Sequence, residues 1–468
     1  MEWIVSANRV VWGVPTLLLI LGVGVYLCVR TGFAQITLFP AALRDLFGKL
    51  AHKQKSREGI SPYQALCTAL AATVGTGNLA GVAGAIALGG PGAIFWMWVC
   101  AFFGMVTKFA EATLAVRFRQ KNAAGEWVGG PMYMIQQGLG NCWTPLAGIY
   151  CFFGVVAAFG VGNATQINTV VGGINTAITA FGGKESTLGN ILIGAIMAVL
   201  ITVILLGGAK KIGMAAEKLV PLASAGYLLL GLGVLLIRGR QIPQALSAIV
   251  TGAFTPSAVT GGIIGSALQA MRVGASRGVF TNEAGMGTAS IAHASAEVSH
   301  PVQQGLMGIV EVFLDTIVIC TMTALVILCS GITIPYGEDT GIAVTSAAFS
   351  VVYGDWIRIP IAIALCLFAV ATVLGWGLYG ARCAQYLFGS HVWKTFVYLQ
   401  AGTVMLSVLL KTELVWLLAE TVNGLMAIPN LIALILLAPE LQKLTREYKR
   451  RHAKTCLPVI KIRLQFHL

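Results

Sequence analysis

The stretch Ala71-Ala-Thr-Val-Gly-Thr-Gly-Asn-Leu-Ala-Gly-Val82 limits the possible folds more than any other part of the chain. It lies inside an apolar segment, yet Gly75 and Gly77 weaken a helix, and Thr73, Thr76 and Asn78 carry hydrogen-bonding groups where water is scarce. A bilayer tolerates such a segment only where unwound backbone faces protein or a polar cavity. That a bilayer is present follows from composition. Of 468 residues 57% are hydrophobic and 10% charged, too few charges to cover a soluble surface of this size. Uncharged runs such as Val11 to Val29 and Leu188 to Gly208 match the roughly 20 residues that cross a hydrocarbon core as a helix. The alternation of a membrane β-barrel is absent, so the chain reads as an all-α integral membrane protein. Met1 to Asn8 lacks the basic region of a cleavable signal, and Val11 to Val29 is long enough to remain as a span.

Hydropathy predicts about eleven spans. Span 1 covers Val11 to Val29, span 2 Pro62 to Leu88, span 3 Ala93 to Val116, span 4 Pro145 to Val171, span 5 Leu188 to Leu206 and span 6 Ala215 to Ile237. After a Gly/Pro/Thr-rich connection from Gly239 to Thr260 come span 7 (Gly262 to Ala294), span 8 (Gly305 to Cys329), a short outer helix (Gly341 to Val352), span 9 (Ile357 to Leu387), span 10 (Val392 to Leu409) and span 11 (Leu414 to Leu437). The organisation is then a first span with a basic linker (1–61), a five-span repeat (62–238), a second five-span repeat with outer connections (239–438) and a basic tail (439–468). Each set opens with a Gly/polar-interrupted helix, and the two share Asn78-Leu-Ala-Gly81 and Asn282-Glu-Ala-Gly285. Because the first set holds an odd number of spans, the second runs with opposite topology, the layout of an inverted-repeat transporter.

The formal charge is +13, and lysines and arginines cluster at Arg44, Lys49, Lys53, Lys55 and Arg57, at Arg117, Arg119 and Lys121, at Lys210 and Lys211, and in a tail from Lys443 to Arg463. These clusters recur on alternate loops, which places them and the C-terminus in the cytoplasm and Met1 outside. Such a tail anchors topology and lipid rather than nucleic acid. The ten cysteines lack paired spacing, and His293 and His300 lack ligand spacing. With no nucleophile–base signature either, an enzyme is disfavoured.

Unwinding near Thr73 to Gly77 would free carbonyls for a cation and leave N–H groups of the next half-helix for a carboxylate. The competing reading is that Gly75, Gly77 and Gly81 only let helices approach closely. Four motifs now carry a resemblance: Cys67-Thr-Ala-Leu-Ala-Ala-Thr-Val-Gly-Thr-Gly-Asn-Leu-Ala-Gly-Val82; Gly89-Gly-Pro-Gly-Ala93 with Phe95-Trp-Met-Trp98; Gly129-Gly-Pro-Met-Tyr133; and Arg277-Gly-Val-Phe-Thr-Asn-Glu-Ala-Gly-Met-Gly287. Together, in this order, they resemble the alanine or glycine:cation symporter family. The resemblance implies a sodium- or proton-coupled importer of small neutral amino acids, alanine or glycine, in a bacterial inner membrane, with a five-plus-five fold and no organic cofactor. A channel is the rival from another class.

Span 4 carries Asn163, Gln166 and Asn168, of which the first two share a helix face. An amide in an apolar span either bonds a neighbouring helix or points into a cavity. Gln166 is similar to the glutamine lining the family's substrate pocket, and Trp376 resembles its pocket tryptophan. The implied substrate set is Thr73, Gly75, Thr76, Gly77, Asn78, Gln166, Gln269, Gly274 and Trp376. The implied cation set, a sodium site of carbonyls and hydroxyls, is Ala71, Val74, Ala369 and Thr372. Related sequences tend to have two hydroxyl residues where this chain has Ala371-Thr372, and often an acid at Ala381.

In span 7, Arg272 and Arg277 are expensive in lipid and must meet carbonyls, acids or water. The second break is expected between Gln269 and Gly278. Glu283 is the candidate partner of Arg277, with Asn282 beside it, as an inner gating pair or a structural pair. Of the remaining membrane acids, Glu111 is placed to pair with Lys108, while Glu311 and Asp315 fall on one face of span 8.

Overall fold

The computed structural model describes residues 8, 11–51, 59–123, 125–338, 341–409 and 412–465. Lys53, Lys55, Arg57 and the placement of Met1 lie outside them. Among the described residues, seven helices are long and apolar enough to cross a membrane, or eight with the bent pair Pro62–Thr73 and Gly77–Gly89 counted as one span. Three shorter helices fall where spans 1, 7 and 10 are expected. Span 1 is Val14–Thr31, span 7 is Ala267–Asn282 followed by Thr288–Ala294, and span 10 is Trp393–Ser407. Spans 3, 5 and 6 are single helices, Gly92–Arg117, Thr187–Leu205 and Gly208–Ile237. Span 4 runs Asn141–Ala180, span 8 Pro301–Ser330, span 9 Arg358–Phe388, and span 11 lies in the helix Thr412–Gln465.

Composition along each helix sets its place. Span 5 exposes Leu188, Leu192, Ile196, Val199 and Val203, a stripe at helical spacing that faces lipid. Span 3 is buried over most of its length and packs against spans 7 and 8, at the centre of the bundle. Small residues make that closeness attainable: a side chain at Gly92 would run into Gly252, and one at Gly308 would lie 2.8 Å from the Lys108 carbonyl.

Two segments expected to be connections are helical. Part of the basic linker forms Phe39–Ala51, whose Phe39 ring packs edge-on against Phe313 at 4.9 Å. Within the Gly239 to Thr260 connection, Ile242–Phe254 forms a helix against span 3, because Ala245, Ile249, Gly252 and Ala253 make one small apolar face. The outer helix falls at Ile342–Tyr353, and Thr345 Oγ1 gives its hydrogen to the Leu79 carbonyl at 3.0 Å.

The ends of the spans sort into two faces. At the basic end, Ile60 bridges Ala296, Arg119 donates to the Ala294 and Ala296 carbonyls, and Lys449 reaches the Thr31 carbonyl at 3.2 Å. At the other end, Gln269 caps the Leu88 carbonyl at 2.9 Å and Gly337 N–H meets the Ala87 carbonyl at 2.9 Å.

Candidate functional site

Span 2 breaks where its glycines and polar residues fall. Its first half ends at Thr73, Val74 leaves the helical region (φ −77°, ψ 98°), and the helix resumes through a wide π-type turn at Gly77–Gly81, bent by 49°. In an unbroken helix the Ala71 carbonyl would take Gly75 N–H, but that N–H goes to Asn78 Oδ1 at 2.8 Å. The Val74 carbonyl likewise loses Asn78 N–H, which bonds Gly75 O at 3.2 Å. Both carbonyls expected to face a cation are thereby released from the helical ladder.

Opposite them stands span 9. Thr372 Oγ1 is buried without a hydrogen-bond partner, and a Cβ on Gly75 would lie 2.6 Å from it. Any side chain at position 75 would fill that approach. Ala369 lies one turn earlier on the same face, fully buried. Gln166 closes another side: its Oε1 accepts Thr76 Oγ1–H at 3.0 Å, and its Nε2 donates to the Val161 carbonyl and Thr165 Oγ1, both at 3.2 Å. Trp376 is fully buried, its indole N–H unpartnered, and Gly162 presses against its Cβ. Thr73, in contrast, turns back to the Ala69 carbonyl at 3.3 Å.

Asn163 and Gln166 do not share a face. The turn at Gly160–Ala164 is of the wider π type, so the two residues diverge. Asn163 pairs with Gln400 of span 10 at 3.0 Å, while Gln166 faces the break.

The second break is not where the glycines suggested. Span 7 is helical without interruption from Ala267 to Asn282, through Gly274 and Gly278. Gly274 sits against the Ala93 carbonyl and Trp96, and Gly278 against Cys100 and Met97, so these glycines serve close packing on span 3. The helix stops at Glu283, which adopts the left-handed conformation (φ 54°), and Gly285 and Gly287 follow at φ 94° and 77°. Gln269 is exposed at the far end of the helix. By helical rise it lies about 20 Å from this break. Gln269, Arg272 and Arg277 line a cavity of about 560 Å³ there. Gln269 and Gly274 are therefore not gathered with the rest of the expected substrate set.

Charged groups fill the second break. Glu111 Oε1 accepts the N–H groups of Gly285 at 2.9 Å and Gly287 at 3.0 Å, together with Asn430 Nδ2 at 2.7 Å. Lys108 pairs not with Glu111 but with Glu311 at 3.0 Å, and Glu311 also meets His293 Nε2 at 2.9 Å. Glu283 does not pair with Arg277; its Oε2 accepts Thr288 Oγ1–H at 2.6 Å, because the left-handed turn carries its side chain back toward the second half-helix.

The two breaks are joined through span 8, whose π-type turn at Phe313–Cys320 separates Glu311 from Asp315. Asn78 Nδ2 donates to Asp315 Oδ1 at 2.7 Å, Thr316 Oγ1 donates to Asp315 Oδ2 at 2.8 Å, and Asn282 Nδ2 donates to Thr316 Oγ1 at 3.2 Å. Thr281 also approaches, its Oγ1 3.3 Å from where a Gly77 Cβ would be. Sequence reasoning did not place Thr281, Thr316 or Asn430 in this assembly. The available signal was the repeated Asn-x-Ala-Gly, which marks both breaks.

A bundle of apolar spans whose second is snapped at mid-length, facing a bare hydroxyl and a second interrupted helix, defines a membrane transporter of the inverted-repeat class. The solved structure of MhsT in complex with L-phenylalanine has this fold: the match has a TM-score of 0.59 at 15% identity, covering 83% of this chain and 99% of that one. Residues 1–462 match the sodium:alanine symporter family, and the chain belongs to it. It is 43% identical to the sodium/alanine symporter AgcS of Methanococcus maripaludis, over 92% of this chain and 94% of that protein. It is 39% identical to the probable sodium/glutamine symporter GlnT of Bacillus subtilis, over 95% and 90%. The family's members are transporters rather than enzymes, and sodium-coupled amino-acid symport is its activity.

Proposed function

We propose that this protein imports a small neutral amino acid, alanine or glycine, together with sodium, by alternating access. The observation that carries the reading is the unpartnered Thr372 hydroxyl set against Gly75, where the Ala71 and Val74 carbonyls have left the helix. Neutral hydroxyl and carbonyl oxygens suit sodium. A substrate carboxylate docks near Gly75 to Asn78, where the second half-helix begins. Gln166 and Trp376 bound the remaining space closely, and that favours a short side chain. Ion and substrate together stabilise one arrangement of the repeats over the other, since only differential binding shifts such an equilibrium. The protein sits in a bacterial inner membrane with its basic end in the cytoplasm and its N-terminus outside.

The test is uptake of labelled alanine, glycine and glutamine into proteoliposomes, with and without an inward sodium gradient at fixed pH. Alanine or glycine is expected to accumulate only with the gradient, and Gln166→Ala to raise the alanine KM at least tenfold. Equal uptake without sodium, or preference for glutamine, overturns the reading.

A further inference from the structure

The second break holds more negative charge than its visible partners balance. Glu111, Glu283 and Glu311 are at most 2% exposed, and Lys108 is the lysine among them, bound to Glu311 at 3.0 Å. His293 Nε2 lies 2.9 Å from Glu311, and its Nδ1 stands 2.6 Å from Gln304 Nε2, which also reaches the Pro62 carbonyl. Two carboxylates, Glu111 and Glu283, are left without a cation of their own, and isolated buried charge is among the costliest arrangements in a protein interior.

Their hydrogen bonds tell the two apart. Glu111 Oε1 accepts three N–H donors, a pattern that stabilises the ionised form. Glu283 receives one hydroxyl, from Thr288. Around it, the indole N–H of Trp376 stands beside the Glu283 carboxyl with no other partner, and the buried hydroxyls of Tyr379 and Tyr150, which have no hydrogen-bond partner, lie near enough to feel its charge. The groups near Glu283 are thus Lys108 from span 3, Tyr150 from span 4, Thr288 from span 7, Glu311 from span 8, and Trp376 and Tyr379 from span 9. Its backbone is also held in a conformation that non-glycine residues rarely adopt, a feature that concentrates at working sites.

We propose that Glu283 is a proton-binding site of the second break, separate from the sodium and substrate positions of the first. An O–H bond forms on the Glu283 carboxylate as an O–H bond of a solvent hydronium breaks and leaves water, and that proton removes one of the two uncompensated charges. Trp376, beside this carboxyl, is one helical turn from Thr372 on span 9, so span 9 links the two positions. Protonation itself does not depend on which amino acid or ion is carried.

Infrared spectroscopy of the purified full chain tests this without any transport assay. At neutral pH the wild-type minus Glu283→Gln difference spectrum is expected to show the carbonyl stretch of a protonated carboxyl, fading as pH is raised. Glu111→Gln is expected to remove carboxylate bands instead and to leave the acid band in place. Trp376→Phe, which keeps Glu283, should shift the acid band by withdrawing the indole N–H, and serves if Glu283→Gln does not fold. A Glu283 difference spectrum containing carboxylate bands alone, or an acid band unmoved by Trp376→Phe, overturns the proposal.

Discussion

The two interrupted helices solve the same problem in opposite ways. At the first, the protein satisfies part of the loosened backbone with one amide, Asn78, takes the Ala71 and Val74 carbonyls' usual helical donors away, and leaves the Thr372 hydroxyl unpartnered. At the second, a carboxylate from span 3 already occupies the N–H groups of Gly285 and Gly287, and an amide from span 11 takes the Gly285 carbonyl at 2.8 Å. A broken helix is thus not itself a binding site. It becomes one where the surrounding spans withhold their own polar groups, and it becomes a joint where they supply them.

That contrast can be attacked from both sides. The largest effect is expected from Lys108→Ala, which leaves Glu311 and its neighbours buried without a lysine. Breaking a buried pair in this way costs about 3–5 kcal/mol. A wild-type melting temperature in detergent would contradict the view that the second break is structural. Next, Asn78→Ala should abolish sodium-driven uptake at a smaller stability loss, on the order of 1–3 kcal/mol, since it unpairs Gly75 N–H and one Asp315 oxygen. Uptake and thermal unfolding measured on one preparation separate the two, and an equal drop in melting temperature for both variants would erase the distinction. Thr372→Ala should raise the sodium concentration for half-maximal uptake roughly tenfold, about 1.4 kcal/mol, with alanine KM at saturating sodium little changed. An unchanged sodium titration removes this hydroxyl from the ion's surroundings. Smallest of all, Gln269→Ala should alter stability by less than about 0.5 kcal/mol and leave the alanine KM as it was. A raised KM there would return the far end of span 7 to the substrate site.

The long spans were readable because hydrophobic length is dictated by the bilayer and not by neighbours. The first break was readable too, since Gly75, Thr76, Gly77 and Asn78 have no business in a lipid-facing helix. Gly274 and Gly278 misled because glycine in a membrane helix has two uses, unwinding and close approach, and only the position of the Ala93 carbonyl and of Met97 distinguishes them. Asn163 and Gln166 misled for another reason: a regular helix was assumed, and the π-type turn at Gly160–Ala164 is set by tertiary packing that local spacing does not encode. The partner of Lys108 was out of reach for the same reason, Glu111 being three residues off in sequence but Glu311 nearer in space.

The Asp315–Thr316 dipeptide has a mechanical corollary. Acting as a tie rod between Asn78 and Asn282, it lets neither gate swing unless its opposite number gives way, because any divergence must snap one of these bonds. In the alternating-access cycle proposed above, such a linkage discourages both doors from standing ajar at once, and so guards against a futile leak of the sodium gradient.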